Sequence, residues 1–240
     1  MIDELRAYWR RMGFPGVKRN LYRELLRLSR WLGGRNRRKI RNYLSGAGEK
    51  KLVLGCGASV LKGWLNSDFE PAGNEVVYLN VTARFPFPDD VFDYVFTEHM
   101  IEHISYADGL HMLRECFRVM KPGGRIRIST PNLEFLLDLH RSDKSPLQEE
   151  YIRVQAEKWR VNRQDAHVIN YYMREWGHCF IYDEIALKCA MEKAGFREIE
   201  RCALHESQWP ALANLENESR MEPGFLKLET LTLEGTKQRS

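Results

Sequence analysis

Apolar and polar positions follow two different rhythms along this chain. In the first forty-odd residues the apolar ones recur at helical spacing, as in Leu21, Leu25, Leu28 and Leu32 with arginines between them. Helices are expected over 2–12 and 18–32, parted by Pro15-Gly16, and a short one runs to Leu44 after the Gly33-Gly34 break. Ser45-Gly46-Ala47-Gly48 reads as a linker. From Lys50 onward short apolar runs alternate with helical stretches. Strands are expected at 51–55, 64–68, 76–81, 92–97 and 125–130. The clearest helix is 106–120, with Leu110, Leu113, Phe117 and Met120 on one face and Lys121-Pro122-Gly123-Gly124 as its stop. Another spans 183–194, with Asp183 as N-cap and Gly195 as terminator. Strands alternating with helices predict a mostly parallel sheet with helical cover.

The segments 198–204 and 225–233 both alternate like strands, and Pro210, Pro223 and Gly224 break the stretch between them. A parallel crossover needs a helix, so this pair is expected to be antiparallel. The fold class is therefore α/β, a doubly wound seven-stranded sheet with its last strand reversed. Residues 1–48 form a helical arm and 49–240 the main domain. An insertion at about 138–178 shows no strand signal and many aromatics (Tyr151, Trp159, Tyr171, Tyr172, Trp176), and is expected to be a helical lid over a ligand.

The chain turns on residues 50–57. Leu52-Val53-Leu54 ends abruptly in Gly55-Cys56-Gly57, a buried strand running into a tight turn where a ligand can lie against the backbone. Asp68 closes the next strand. A glycine turn followed by an acidic strand end is how doubly wound domains hold a ribose-bearing cofactor.

Composition adds bounds. Of the 240 residues 43% are hydrophobic, enough for a sizeable core. No apolar run is long enough to span a membrane, and with the charged opening Met1-Ile2-Asp3-Glu4 no apolar signal-peptide core is expected. The five scattered cysteines suggest reduced thiols and a cytoplasmic protein. Charge is uneven: residues 1–51 hold 15 Lys/Arg against 4 Asp/Glu, and the remainder 22 against 29. The arm is expected to pack its leucines and solvate its arginines. The sharper alternative is an anionic partner, a membrane surface or phosphorylated substrate, with nucleic acid less expected and homo-oligomerisation open.

Several motifs in order carry a resemblance. Val53-Leu54-Gly55-Cys56-Gly57 is one. Phe85-Pro86-Phe87-Pro88-Asp89-Asp90-Val91-Phe92-Asp93 approaches the fourth strand, and Glu98-His99-Met100-Ile101-Glu102-His103 follows it. Leu113-Arg114-Glu115-Cys116-Phe117-Arg118-Val119-Met120-Lys121-Pro122-Gly123-Gly124 is another. Together they resemble the class I S-adenosylmethionine-dependent methyltransferases, of the type 11-like kind, over residues 50 to 237. The segment from Val168 to Asp183 is similar to a subgroup associated with polysaccharide or secondary-metabolite clusters. The resemblance implies a Rossmann-like fold and S-adenosylmethionine as cofactor. Leu54, Gly55, Cys56 and Gly57 would face its methionine part, Asp68 and Phe69 its ribose, Asn80 and Val81 its adenine, and Glu98 and His99 its sulfonium. The implied activity is methyl transfer to a hydroxyl or amine of a small molecule, a sugar or natural product. Catalysis needs little beyond positioning and one base, for which His99, His103 and His178 are the candidates. Two features depart from the family. The turn-to-acid interval is short, so the first helix is expected to be trimmed, and Asn80 stands where many relatives have aspartate.

Alternatives remain at this point. A nicotinamide dehydrogenase wants G-x-G-x-x-G and a later acid, which Gly55 to Val60 and Asp68 do not supply. A non-methylating enzyme using the same cofactor, or a binding protein acting through the basic arm, fits the same residues. His99-Met100-Ile101-Glu102-His103 also matches the H-x-x-E-H inverzincin pattern. Because it begins at a strand end and not inside a long helix, no metal is expected there.

Overall fold

The computed structural model describes residues 34–239, which fall into two compact units divided between Gly46 and Ala47. The helices expected over 2–12 and 18–32 lie outside the described residues. In the first unit helix α1 spans Arg35–Ser45, its C-terminal amide closing on the Tyr43 carbonyl. No helix among the described residues is long and apolar enough to cross a membrane.

The second unit is a seven-stranded sheet. Its strands are β1 Lys51–Leu54, β2 Leu65–Asp68, β3 Val77–Tyr78, β4 Phe92–Glu98, β5 Met120–Pro131, β6 Arg197–Arg201 and β7 Thr230–Thr236, in the order β3-β2-β1-β4-β5-β7-β6. Five strands from β3 to β5 pair in parallel, and β7 runs antiparallel to both its neighbours. This is the expected Rossmann-like sheet with a reversed last strand. The order reverses at β1, flanked by β2 and β4, so the crevice for a ligand opens at the carboxyl ends of β1 and β4. Leu52, Leu54, Phe92, Val95, Ile126 and Ile128 are fully buried, as befits central strands covered on both faces.

Helix α2, Tyr106–Val119, starts at Ser105, whose hydroxyl accepts from the Asp108 amide at 3.1 Å. It buries Met112, Leu113, Cys116 and Val119. Its Glu115 and Arg118 explain the paired motifs. Glu115 Oε2 accepts from the Phe85 amide at 2.7 Å, while Arg118 bonds Glu115, Asp89 and the carbonyls of Phe85 and Phe87. That network pins the Phe-Pro-Phe-Pro approach so that Phe87 and Phe92 pack edge to face at 5.1 Å.

Helix α3, Leu133–Asp138, precedes the expected insertion, which holds α4 Pro146–Trp159 and α5 Asp165–Arg174. Ser145 and Gln148 form a capping box at the start of α4. These helices share a small core of their own, with Phe135, Leu136, Tyr151, Ala156, Val168 and Tyr172 buried. Helix α6, Glu184–Ala194, follows with Asp183 as its cap.

Three expectations need correction. The strand expected at 76–81 is only Val77–Tyr78, because Asn80 Oδ1 accepts from the Thr82 amide and hydroxyl and turns the chain away. The fifth strand begins at Met120, since the Pro-Gly-Gly stretch lies flat against its neighbours: the Gly123 amide donates to the Lys237 carbonyl at 2.6 Å, and the Lys237 amide donates back to the Gly124 carbonyl at 3.0 Å. The strand expected at 225–233 starts with a helical turn, α7 Phe225–Glu229, before β7. Phe225, Leu226 and Glu229 are its buried residues, and i, i+1, i+4 is a helical face that alternation mimics over so short a run.

Candidate active site

β1 delivers the chain into the glycine turn. Gly55 and Gly57 both adopt the left-handed region, φ +66° and +52°. The Cys56 amide donates to the Ser67 carbonyl at 3.0 Å, and the Gly57 amide donates to Asp68 Oδ2 at 2.9 Å. Asp68 Oδ1 accepts from the Glu70 amide at 2.7 Å. Asp68 therefore braces the turn, and each of its oxygens keeps a further lone pair for a hydroxyl. No helix follows: residues 55–64 are turns only, the trimmed connection expected from the short interval. Cys56 is buried, which raises its thiol pKa to about 11, so it packs and does not react.

Leu54 is buried beneath the turn. Phe69 packs its ring on Tyr78 at 5.6 Å. Asn80 spends its carbonyl oxygen on Thr82, and Val81 follows it, half-buried. A Cβ on Gly55 would fall on Met100 Cγ and lie 2.8 Å from Met100 Cβ, atoms too close to the backbone to swing aside. Gly55→Ala is therefore expected to cost on the order of 2 kcal/mol through positive φ and overlap, read as a lower thermal midpoint.

At the end of β4, Glu98 is largely buried and its pKa is raised by that burial against the opposing charge of Arg220. Glu98 Oε1 accepts from the Asn217 amide at 3.1 Å, and Asn217 Nδ2 donates to Ser59 Oγ at 2.9 Å. Arg220 Nη1 stands 4.0 Å from Glu98. The segment around Asn217 thus bridges the glycine turn and the end of β4, so a ligand held by both would lie beside it. Asn217 and Arg220 were not among the predicted residues. They sit in the irregular stretch between β6 and β7, and no pattern there marks them.

His99 has φ +46°, an uncommon conformation for a residue with a Cβ. Its amide donates to the Ser129 carbonyl, its Nε2 pairs with Thr230 Oγ1 at 3.1 Å, and its Nδ1 lies 3.6 Å from Glu102 Oε1. Burial holds its pKa well below the ordinary value. Glu102 is wholly buried in the short turn Ile101–His103, and burial pushes its pKa up to about 8. His103 follows, and His178 comes in from the loop after α5 with ring centroids 4.9 Å apart. Burial lowers both, His178 to about 4 with help from His103. His178 Nδ1 lies 2.7 Å from the Tyr172 carbonyl, which can only accept, so Nδ1 carries the proton and Nε2 the lone pair. The structure therefore gathers His99, His103 and His178 around Glu102, with the aromatic stack of Trp159, Tyr172 and Trp176 behind them. A separate cleft of about 600 Å³, lined by Arg125, Glu200, Trp209 and Glu234 among others, contains none of the predicted residues.

A family model described as a methyltransferase domain matches residues 17–200. The chain belongs to that family, the class I S-adenosylmethionine-dependent methyltransferases. A protein of Mycolicibacterium smegmatis described as a "probable S-adenosylmethionine-dependent methyltransferase" is 44% identical over 50 residues, which cover 21% of this chain and 19% of that protein. The match thus spans about a fifth of that relative's length. Among solved structures, an S-adenosylmethionine-dependent methyltransferase of Archaeoglobus fulgidus is 19% identical, with 90% of this chain and 98% of that one covered and a TM-score of 0.49. Phosphoethanolamine N-methyltransferase 2 of Haemonchus contortus, bound to S-adenosyl-L-methionine, is 15% identical over 85% of this chain and 52% of that one, with a TM-score of 0.43. Neither bears on the acceptor. The cofactor of that family is S-adenosylmethionine, and in this chain each carboxylate oxygen of Asp68 accepts one backbone amide and keeps a lone pair open.

Proposed function

We propose that this chain transfers the methyl group of S-adenosylmethionine to a hydroxyl or amine of a small molecule, a sugar or natural product. The observation that carries the reading is the pairing of two features across β1 and β4: a glycine turn braced by Asp68, and a histidine-lined turn at Glu98–His103. Gly55, Cys56 and Gly57 receive the methionine part over the fully buried Leu54, Asp68 and Phe69 face the ribose, and Asn80 and Val81 edge the base. Glu98 and His99 border the sulfonium. The acceptor's lone pair forms the new bond to the methyl carbon as the carbon–sulfur bond breaks. Its electrons go to sulfur, leaving S-adenosylhomocysteine. The acceptor's proton goes to a neutral imidazole, for which His178 Nε2 is favoured, because the Tyr172 carbonyl fixes its tautomer.

The test is a screen of sugars and natural products with methyl-labelled S-adenosylmethionine. Acceptor-dependent S-adenosylhomocysteine with label in the product is expected. Cofactor consumed without label transfer would contradict methylation and favour another use of the same cofactor. With a working acceptor, His178→Ala is expected to lower turnover about 10²–10⁴-fold while sparing cofactor affinity. Equal turnover would remove it from the chemistry.

A further inference from the structure

The cluster around Glu102 holds more ligating atoms than a proton transfer needs. A carboxylate oxygen of Glu102 and one ring nitrogen each of His103 and His178 all lie within 4.8 Å of one another. Glu102 is fully buried, yet among the described residues its Oε1 has no hydrogen-bond partner. Its other oxygen accepts from Thr130 Oγ1 at 3.1 Å, which fixes the carboxylate and leaves Oε1 aimed into the group, 3.8 Å from His103 Nε2. An orphaned buried oxygen of this kind is costly unless something satisfies it.

We propose that Glu102, His103 and His178 form a binding site for one divalent transition-metal cation of the zinc class. Two imidazoles and one carboxylate are a donor set that suits such ions, and three protein ligands leave a fourth position open to water or substrate. In a tetrahedral site with bonds of about 2.0–2.2 Å, ligand atoms stand roughly 3.3–3.6 Å apart, so small side-chain rotations close the site. The supporting contacts are those that orient metal ligands elsewhere. The Tyr172 carbonyl accepts from the Nδ1–H of His178 and leaves the Nε2 lone pair free to ligate, and the Thr130 hydroxyl donates to the carboxylate. The loop that carries His178 is docked on the turn by the Cys179 and Phe180 amides, both donating to the Glu102 carbonyl at 2.7 and 3.2 Å. His103 remains 37% exposed at its side chain, which gives a cation a way in.

This departs from the expectation that the H-x-x-E-H run binds no metal. That pattern pairs His99 with His103. In the structure His99 pairs its Nε2 with Thr230 and keeps its Nδ1 3.6 Å from Glu102 Oε1, while His178, from some 75 residues away, joins His103 and Glu102 in the group whose ligating atoms converge. The site stands on its own geometry, whether or not the chain transfers methyl groups. In the loaded form His178 Nε2 is a ligand, so the base role above belongs to the metal-free form.

The experiment uses the full chain without a polyhistidine tag, stripped with a chelator and titrated with Co²⁺ alone, followed by visible absorption and calorimetry. One equivalent is expected, with the strong d–d bands of four- or five-coordinate cobalt. Losing a direct ligand should cost more than the roughly tenfold to hundredfold of an outer-shell partner, so Glu102→Gln and His178→Ala should each weaken binding by at least a hundredfold. The control His140→Ala, at an exposed histidine that pairs with Asp165, should bind as the native chain does. Where Glu102→Gln does not fold by circular dichroism, His178→Ala and His103→Ala carry the test. No binding to the native chain, or native affinity in the folded variants, overturns the site.

Discussion

Arg127→Met is expected to destabilise the fold by about 3–5 kcal/mol, the cost of removing one partner from a buried ion pair. In a chain of this size that lowers the thermal midpoint by on the order of 10 °C. Arg127 lies on β5 with its side chain fully buried. Its Nε donates to Glu216 Oε1 and its Nη1 to Glu234 Oε1, both at 2.6 Å, and it also reaches the carbonyls of Glu206 and Ala203 at 2.8 and 3.2 Å. Burial opposes charge on both sides, yet the pairing wins: Glu216 is held below the usual carboxylate range and Arg127 above its ordinary value. Methionine fills much of the space but leaves two buried carboxylates without a counter-charge. It also unties the stretch from Ala203 to Glu216, which leads into the Asn217 bridge over the candidate site. Adding Glu216→Gln and Glu234→Gln to Arg127→Met should recover part of the loss, because removing all the charges together spares the unpaired carboxylates. Chemical denaturation reads both variants. A loss below about 1 kcal/mol in the single variant would show that the network contributes little.

Asp68→Ala is expected to weaken binding of S-adenosylhomocysteine by about 1–3 kcal/mol, or roughly fivefold to 150-fold. Two effects combine. The carboxylate no longer accepts from the ribose, and the Gly57 amide loses the partner that holds it at 2.9 Å. Asp68→Asn separates them, since its amide oxygen can still accept from Gly57 while the charge is gone. Titration calorimetry gives the affinities. Native affinity in Asp68→Ala would take this residue out of the cofactor site.

Much of this fold was legible because its punctuation is local. The apolar run into Gly55-Cys56-Gly57, the stop at Lys121-Pro122-Gly123-Gly124 and the Asp183 cap each state a boundary within a few residues. The reversed β7 followed from the lack of a crossover helix. The misreadings came where a run was too short for its period to tell, as in Phe225–Glu229, or where a side chain redirected the backbone, as Asn80 does. Arg127 was hidden for another reason. Arg-Ile-Arg-Ile-Ser at 125–129 alternates as a strand, and alternation alone does not say what covers the arginine face. That face is covered by residues more than seventy positions later, and only tertiary structure supplies the carboxylates that pair with Arg127. The site divides the same way. Gly55, Gly57, Asp68, Glu98 and His99 stand in motifs. Asn217 and Arg220 stand in none, and the approach of His178 to Glu102 depends on how α5 and its loop fold back.

The proposed role of the glycine turn and Asp68 is to hold S-adenosylmethionine. Its most direct test is calorimetric titration of the full chain with S-adenosylhomocysteine, with NAD in parallel. One S-adenosylhomocysteine bound per chain, and no NAD, is expected. NAD bound in its place, or no binding of S-adenosylhomocysteine by the folded chain, would contradict it.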